Sequence, residues 1–238
     1  MGRTGRLILL GVVVLVLALG GGWLLFANRT SDSPPPAALD PVPPTTAGQA
    51  TEATQGDGVA TPDGTWQVSD DGSSFVGYRV REQLASLSSP NEAVGRTTAV
   101  TGTMHVAGDT VEAVKIEADL TQLTSDEGRR DNAIRMRGLE SERFPTATLE
   151  LAEPLRLGAA PVQGEEVRGQ GKARLTVHGV TRDVDLDLQG IWTGSTIQVA
   201  GQLPVKMSDF QIEPPRFGPV VSMEDSLAVD IKLIFERT

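Results

Sequence analysis

The sequence predicts an all-β fold of about eight antiparallel strands with one short helix, preceded by a single N-terminal transmembrane helix and a disordered, proline-rich tether. Three observations lead to this prediction. Apolar and polar residues alternate with a period of two through much of residues 63–238, which is the pattern of strands with one buried face. Residues 7–27 form an uninterrupted apolar run, and residues 28–62 are rich in Pro, Thr and Ala.

The N-terminal segment is long enough to cross a membrane. Leu7 to Ala27 is a run of 21 uncharged residues, and a helix of that length spans roughly 30 Å, the thickness of a bilayer core. Arg3 and Arg6 precede the run, so the positive-inside rule makes residues 1–6 a cytoplasmic tail. We therefore expect a single-pass protein of the cell membrane whose C-terminal domain is extracytoplasmic.

The alternative interpretation of this segment is a cleaved signal peptide, with Leu7–Leu19 as its apolar region and Ala18-Leu19-Gly20 as its cleavage site. The domain would then be secreted. Cleavage would leave Trp23 to Phe26 as an exposed apolar terminus, which is unfavourable, so we prefer the retained anchor. Both interpretations place the domain outside the cytoplasmic membrane.

Residues 28–62 predict a tether rather than a domain. They consist mainly of Pro, Ala, Thr, Ser, Gly and Gln, and include Pro34-Pro35-Pro36. Such a segment buries too little apolar surface to offset the entropy lost on ordering. We expect a disordered spacer with no binding role, followed by one domain over residues 63–238.

The strands are assigned from their alternation and from the turn residues between them. They cover residues 65–68, 74–81, 98–107, 114–120, 147–151, 165–177, 182–192, 197–205 and 227–235. About eight such strands can stack as a sandwich or close into a barrel, and closure removes both sheet edges. A helix is predicted over Asp126–Arg137, with Asp126 or Ser125 as its cap and Gly138 after its end.

The hairpin around His178-Gly179 has the clearest two-faced pattern. After the turn, an apolar set alternates with an acidic set: Val184, Leu186 and Leu188 against Asp183, Asp185 and Asp187. One face of this hairpin is therefore expected to be buried and the other to be solvated. The three aspartates could attract a cation such as Ca²⁺, but their spacing fits the solvent face of a strand better.

Composition excludes several classes of function. The chain has no cysteine, which removes disulfides, thiolate catalysis and iron–sulfur clusters. A net charge of −10 without a clustered basic stripe argues against nucleic acid as a partner. No nucleophile elbow or Gly-rich phosphate loop is present, so we expect no catalytic residue. His105 and His178 are the only histidines; they lie on separate elements, so we expect solvated groups and no metal site.

Several stretches of the domain together resemble the YceI-like family, whose members bind lipids or polyisoprenoids in the bacterial envelope. They are Gly64–Val68 with Ser74–Tyr78, Leu123–Ser125, Arg130–Arg135, Arg143–Leu149, the hairpin Leu175–Val184, and Met207–Phe210 with Asp225 and Val229. The resemblance extends over nearly all of residues 64–238. One departure is Ala133, which stands where many members have a histidine, so a headgroup contact made by that histidine is absent here.

The resemblance implies an extended, lipocalin-like barrel with the helix beside it and an elongated apolar cavity. Such a cavity would hold a polyisoprenoid chain, often that of an isoprenoid quinone, with no other cofactor required. Family members include dimers, so a homodimer is compatible with the resemblance. The residues expected to line the cavity are Met104, Val106, Ile116, Leu149, Leu186, Leu188, Val199, Leu203, Ile231 and Leu233.

The polar residues of the predicted helix allow two interpretations. Asp131 and Arg135 are four residues apart, so they could form an ion pair on the helix surface. Alternatively, the helix covers the mouth of the cavity and these two residues meet a headgroup.

Taken together, the sequence predicts a membrane-anchored, extracytoplasmic protein that binds a long-chain lipid and is not an enzyme. Each buried methylene contributes roughly 0.8 kcal/mol, and association costs on the order of 4–15 kcal/mol. A chain of some tens of carbons would therefore bind without strong polar contacts. The alternative is an envelope structural or interaction module whose barrel is filled by its own side chains.

Overall fold

The computed structural model describes residues 33–41, 61–85, 88–216, 218 and 220–238. The predicted cytoplasmic tail, the predicted transmembrane helix over residues 7–27 and much of the predicted tether lie outside these residues. Among the helices of the described residues, none has both the length and the apolar character that a membrane span requires.

The described part of the chain is dominated by β-structure. Its strands are β1 (Gly64–Val68), β2 (Phe75–Leu84), β3 (Asn91–Thr97), β4 (Val100–Ala107), β5 (Thr110–Asp119), β6 (Thr124–Ser125), β7 (Thr146–Leu151), β8 (Leu155–Arg156), β9 (Glu166–Val177), β10 (Val180–Trp192), β11 (Thr196–Lys206) and β12 (Val220–Arg237). Helix α1 (Gly128–Ala133) continues into a π-helical turn (Ile134–Gly138), and 3₁₀ turns occupy Leu120–Gln122 and Met207–Phe210.

Eight of these strands close into an antiparallel barrel. Their order is β1-β4-β5-β7-β9-β10-β11-β12, and β12 pairs with β1 to complete the circle. In the closing pair, Trp66 lies opposite Arg237 and Val68 opposite Phe235. The predicted all-β, roughly eight-stranded fold is confirmed, and the closure decides for a barrel over a sandwich.

One edge of the longest strand, β12, pairs with two different strands along its length. Its C-terminal residues pair with β1, whereas residues 220–232 pair with β2. From there β3 pairs with β2, and β6 pairs with β3. Strand β3 is absent from the sequence prediction, because its sequence, Asn-Glu-Ala-Val-Gly-Arg-Thr, lacks a regular alternation.

The predicted hairpin forms with the expected register. Strands β9 and β10 pair continuously from Val177 opposite Val180 to Glu166 opposite Ile191. His178 and Gly179 form the turn with φ angles of 53° and 72°, the left-handed pair that joins tightly twisted strands. On the outer face, Asp187 binds Arg168 and Asp185 binds Lys172, so the acidic set is a solvated face with cross-strand cations.

The helical segment is shorter and differently capped than predicted. Helix α1 begins at Gly128 rather than Asp126, and its cap is Glu127, whose carboxylate accepts a hydrogen bond from the Arg129 amide at 3.1 Å. The π-helical turn then ends at Gly138, as expected for the end of the helix. At the start of α1, the Glu127 carboxylate neutralises the partial positive charge of the first turn.

Residues 35–41, which belong to the predicted tether, contact the outside of the barrel. The Pro35 carbonyl accepts a hydrogen bond from Arg96. The Asp40 carboxylate lies 2.6 Å from Lys232 Nζ, and the Asp40 amide donates to Gln198 Oε1 at 3.0 Å.

Candidate functional site

The interior of the barrel holds two cavities, of about 160 and 120 Å³. The larger, here the helix-side cavity, is lined in part by Ile134, Gly138 and Leu139 of the helical segment. The smaller, here the distal cavity, is lined in part by Trp192 and Ile197. Nearly all residues around both are apolar.

The two cavities adjoin each other. Both cavities are lined by the same four side chains, Ile116, Leu149, Ile231 and Leu233. These four side chains therefore lie where the two cavities meet. Strand β12 passes along both cavities: Leu227 and Val229 face the helix-side cavity and Phe235 the distal one. Eight residue steps of a strand extend about 27 Å, so the apolar interior is elongated.

All ten residues predicted to line a cavity do so. Met104, Val106, Leu186, Leu188 and Val199 line the distal cavity, Leu203 lines the helix-side cavity, and Ile116, Leu149, Ile231 and Leu233 line both. The alternation of the sequence is sufficient to place them, because every second residue of a barrel strand faces the interior. Their part in binding a ligand stays a prediction.

A polar cluster centred on the buried Glu82–Arg130 pair borders the helix-side end of the interior. It consists of Glu82 on β2 and of Ser125, Asp126, Arg130 and Asp131 around the start of α1. Arg130 Nη2 lies 2.6 Å from Glu82 Oε1, and these side chains are 5% and 0% exposed. Arg130 also pairs with Asp126. Charges so deeply buried are stable only when they are paired.

Asp131 belongs to this cluster and does not pair with Arg135. Its Oδ1 accepts hydrogen bonds from the Ser125 amide at 2.9 Å and from the Ser125 hydroxyl at 2.5 Å. Arg135 is half-buried. The ion pair, one of the two interpretations of these residues, is therefore wrong, because the Asp131 carboxylate binds Ser125 instead. Neither residue lines the two cavities among the described residues, and their contact with a headgroup at the cavity mouth stays a prediction.

The sequence prediction missed the Glu82–Arg130 pair. Its only signal is that Glu82 continues the period of Val76, Tyr78 and Val80, which places a carboxylate on the inward face of β2. An inward carboxylate requires a cationic partner, but the pattern does not indicate which arginine of the helix supplies it.

Tyr78, the only tyrosine of the chain, lies between the polar cluster and the helix-side cavity, which it lines. Its ring lies over Gly95 of β3, where a Cβ atom would come within 2.4 Å of the ring. Gly95 is in register with Ser125, so the ring crosses β3 towards the cluster. Burial raises the pKa of Tyr78 well above its ordinary value, the charge of Arg130 opposing this, so the phenol is protonated at neutral pH.

The two histidines differ from each other. His105 is half-exposed beside Glu112, as the sequence predicts. His178 is not solvated: its side chain is only 13% exposed, its ring packs edge-on against Phe144, and its Nδ1 lies 3.2 Å from the Phe210 carbonyl. Across the described ranges, no three potential metal ligands converge.

A closed antiparallel barrel with an unfilled apolar interior is the architecture of proteins that enclose one small apolar molecule. The model of the YceI-like domain family matches residues 66–235, so the chain belongs to the YceI-like family. No curated protein sequence matches the chain.

Two solved structures have a similar fold. A polyisoprenoid binding domain from Saccharophagus degradans, implicated in plant cell wall breakdown, has a TM-score of 0.58 and 19% identity, covering 73% of this chain and 98% of that one. BcnA of Burkholderia cenocepacia has a TM-score of 0.53 and 18% identity, covering 70% and 98% of the two chains. At identities of 19% and 18%, these likenesses show a shared fold and nothing further.

Proposed function

We propose that this chain is a binding protein that holds a polyisoprenoid, such as the tail of an isoprenoid quinone, or a similar long-chain lipid inside its barrel. The observation that carries the proposal is the pair of adjoining apolar cavities. At roughly 30 Å³ for each methylene-sized group, the volume share of a water molecule, the cavities of about 160 and 120 Å³ have room for roughly nine such groups.

The energy of burial favours a long chain over a short amphiphile. About nine buried methylenes at roughly 0.8 kcal/mol each contribute about 7 kcal/mol, which is comparable with an association cost on the order of 4–15 kcal/mol. A short chain of a few carbons contributes too little to offset this cost. The description of the Saccharophagus degradans relative as a polyisoprenoid binding domain supports the same ligand class.

We further propose that the protein is anchored to the membrane and that it binds its lipid without catalysing a reaction. The apolar run at residues 7–27 supports anchorage to the membrane with the barrel on the extracytoplasmic side, where a lipid carrier can exchange ligand with the bilayer. The interior offers apolar contacts rather than an arrangement of nucleophile and base, so the function is binding and not catalysis.

The test is to purify the full-length chain, extract it with organic solvent and identify the released lipid by mass spectrometry, followed by uptake of an added isoprenoid quinone. We expect one long-chain lipid for each barrel and uptake of the quinone after delipidation. A chain that releases no lipid and takes up no quinone would instead be an envelope structural module.

A further inference from the structure

The outer face of the barrel carries a buried network of charges. Asp230 lies on β12 between two residues that line the helix-side cavity, so its carboxylate is on the opposite, outer face. Its side chain is nevertheless 0% exposed, and it binds Arg79 and Arg96 at 3.1 Å each. Gln202 of β11 donates to its second oxygen at 2.8 Å. Side chains from β2, β3 and β11 therefore cover this part of the outer face.

Arg96 of β3 is fixed within this network and also reaches beyond it. It lies opposite Gly77 of β2, where a Cβ atom would come within 2.8 Å of Arg96 Cγ, so the glycine leaves room for the arginine. Arg96 Cζ lies 4.1 Å from the centre of the Phe75 ring. Arg96 Nη2 donates both to Asp230 and to the carbonyl of Pro35. The outer face thus presents a fixed hydrogen-bond donor to a backbone carbonyl outside the barrel.

A second set of contacts lies farther along the same face. Lys232 follows Asp230 by two residues on β12, so both side chains lie on the outer face. Lys232 Nζ lies 2.6 Å from the Asp40 carboxylate, and the Asp40 amide donates to Gln198 Oε1 of β11 at 3.0 Å. Residues 35–40 are therefore attached to β3 at one end and to β11 and β12 at the other.

The charges of this face favour an acidic segment. Three cations face two carboxylates: Arg79, Arg96 and Lys232 against Glu92 and Asp230. Asp40 supplies the third carboxylate, and the side chains of Asp40 and Lys232 are 49% and 18% exposed. Solvent screens such a partly buried pair less than it screens a fully exposed one. An acidic residue at this position therefore balances the charge of the face.

A proline-rich segment suits the contact with Arg96. Residues 34–36 are all proline, and proline-rich chains favour the extended polyproline II conformation, which has no internal hydrogen bonds. Their carbonyls therefore remain available as acceptors. Their ordering on binding also costs less entropy than that of a flexible segment.

The chain's own residues can reach this face. The Thr61 carbonyl accepts a hydrogen bond from Arg237 Nη2 at 2.7 Å, and Arg237 lies five residues beyond Lys232 on β12. These two attachment points are therefore about 17 Å apart along the strand, whereas residues 41–60 can extend to roughly 70 Å. A tethered segment has an effective concentration of about a millimolar, which favours it over the same segment of a second copy.

We propose that the outer face holds a binding site for an extended, proline-rich segment with an acidic residue, and that residues 35–40 of the same chain occupy this site as a clasp. The clasp site is formed by four side chains: Phe75, Arg96, Gln198 and Lys232.

The clasp shortens the tether. Only residues 28–34 remain between the predicted membrane anchor and the clasp. They extend at most about 25 Å, against about 120 Å for residues 28–62. The limit on the distance from the membrane rests on the anchorage in the proposed function, whereas the clasp site does not.

The experiment measures whether the segment is docked. The chain contains no cysteine, so Ala38→Cys with Asp183→Cys places two spin labels at chosen exposed positions, one in the clasp and one on β10. Double electron–electron resonance on the full-length chain, diluted with unlabelled chain, reports the intramolecular distance. We expect one narrow distance distribution. A broad distribution would overturn the clasp.

Asp40→Lys places a like charge opposite Lys232, so the distribution should broaden. Adding Lys232→Asp restores a pair of opposite charges, and the narrow distribution should return. Glu52→Lys is the matched control, because it makes the same change of charge elsewhere in the predicted tether, and it should keep the distribution narrow. A narrow distribution in Asp40→Lys, or equal broadening in Glu52→Lys, would contradict the role of Asp40.

A mixture of copies labelled only at position 38 with copies labelled only at position 183 distinguishes the occupants of the site. We expect no defined distance between copies. A narrow distance between them would show that a second copy supplies the segment, and would overturn the intramolecular clasp.

The length of the tether is measured with the full-length chain in phosphatidylcholine vesicles, by energy transfer from a donor at Asp183→Cys to an acceptor on the lipid headgroups. Asp40→Lys should lower the transfer by about twofold, because the released tether reaches farther, and Glu52→Lys should leave it unchanged. Equal transfer in Asp40→Lys would contradict the shortened tether. A wild-type chain that keeps the narrow distance but takes up no quinone would sink the proposed function and leave the clasp in place.

Discussion

The two ends of the barrel interior are built by the same alternation of residues but differ in what borders them. The distal cavity is lined mainly by apolar side chains, among them Trp192, whose indole nitrogen donates to the Gly194 carbonyl, and by one polar residue, Gln189. The helix-side cavity is lined in part by Tyr78, beside which lies the buried Glu82–Arg130 pair. The stability of the distal end therefore depends mainly on apolar burial, whereas that of the helix-side end also depends on a buried ion pair.

The largest effect is expected at the polar end. Glu82→Gln leaves the Arg130 guanidinium with the exposed Asp126 as its remaining charged partner in the cluster. Breaking one side of a buried pair costs about 3 kcal/mol or more, so chemical denaturation should show a loss of that order. A loss below about 1 kcal/mol would mean that the pair behaves as a surface ion pair.

A smaller effect is expected at the apolar end. Leu186 is a buried core residue that also lines the distal cavity, so Leu186→Ala should destabilise the chain by about 2 kcal/mol, the lower end of the range for buried leucines. Denaturation of the delipidated chain measures this. A loss near 5 kcal/mol would indicate a packed core and favour the structural-module alternative.

The pH dependence of stability tests whether the Tyr78 phenol at the helix-side end is buried. Its pKa is raised by burial, so the folded state holds its phenolic proton more tightly than the unfolded state does. The resulting contribution to stability is fully present below about pH 10, the ordinary tyrosine value, and is lost as the pH rises towards the pKa of the folded state. The near-ultraviolet absorbance of tyrosinate should therefore appear only with unfolding.

The comparison with Tyr78→Phe isolates this contribution. Above about pH 10 the stability of the wild type should fall more steeply with pH than that of the variant. Equal slopes, or tyrosinate formation in the folded chain at the ordinary tyrosine value, would show that the phenol is solvated.

The smallest effect is expected outside the barrel. Arg168 and Asp187 form an exposed cross-strand pair, and Arg168 lowers the pKa of Asp187. Exposed pairs contribute little to stability, so Asp187→Asn should leave both the melting temperature and lipid retention essentially unchanged. A clear loss of lipid retention would show that this outer face takes part in binding, and that the lipid does not contact the interior alone.

The sequence predicts the apolar interior well because strand alternation is a local property. Residues such as Ile231 and Leu233 face inward once their strand forms, whatever its neighbours. The same reasoning could not predict β3, whose residues 91–97 lack an alternating pattern and are held by pairing with β2.

The polar contacts at the helix-side end could not be predicted from local sequence patterns, for a different reason. Their spacing on a helix allows Asp131 to pair with Arg135, which is one of two interpretations of the sequence, but Asp131 binds Ser125. Arg130 instead binds Glu82, 48 residues away. His178 likewise is buried against Phe144 through tertiary packing. Such contacts depend on which elements the closed barrel brings together.

If the interior of the barrel holds the lipid chain, a variant that fills the interior should lose lipid uptake. Gly190 lines the distal cavity, and a Cβ atom there would make ordinary contacts at 3.5 Å or more. Gly190→Leu should place its side chain in the cavity, and Gly190→Ala is the matched control that adds one methyl group.

Both variants are compared with the wild type by uptake of an isoprenoid quinone into the delipidated full-length chain, after melting curves have shown that each variant is folded. The account predicts at least a tenfold loss of uptake for Gly190→Leu, equivalent to the burial of about two methylenes, and little change for Gly190→Ala. Undiminished uptake in a folded Gly190→Leu chain would contradict the claim that the lipid lies inside the barrel.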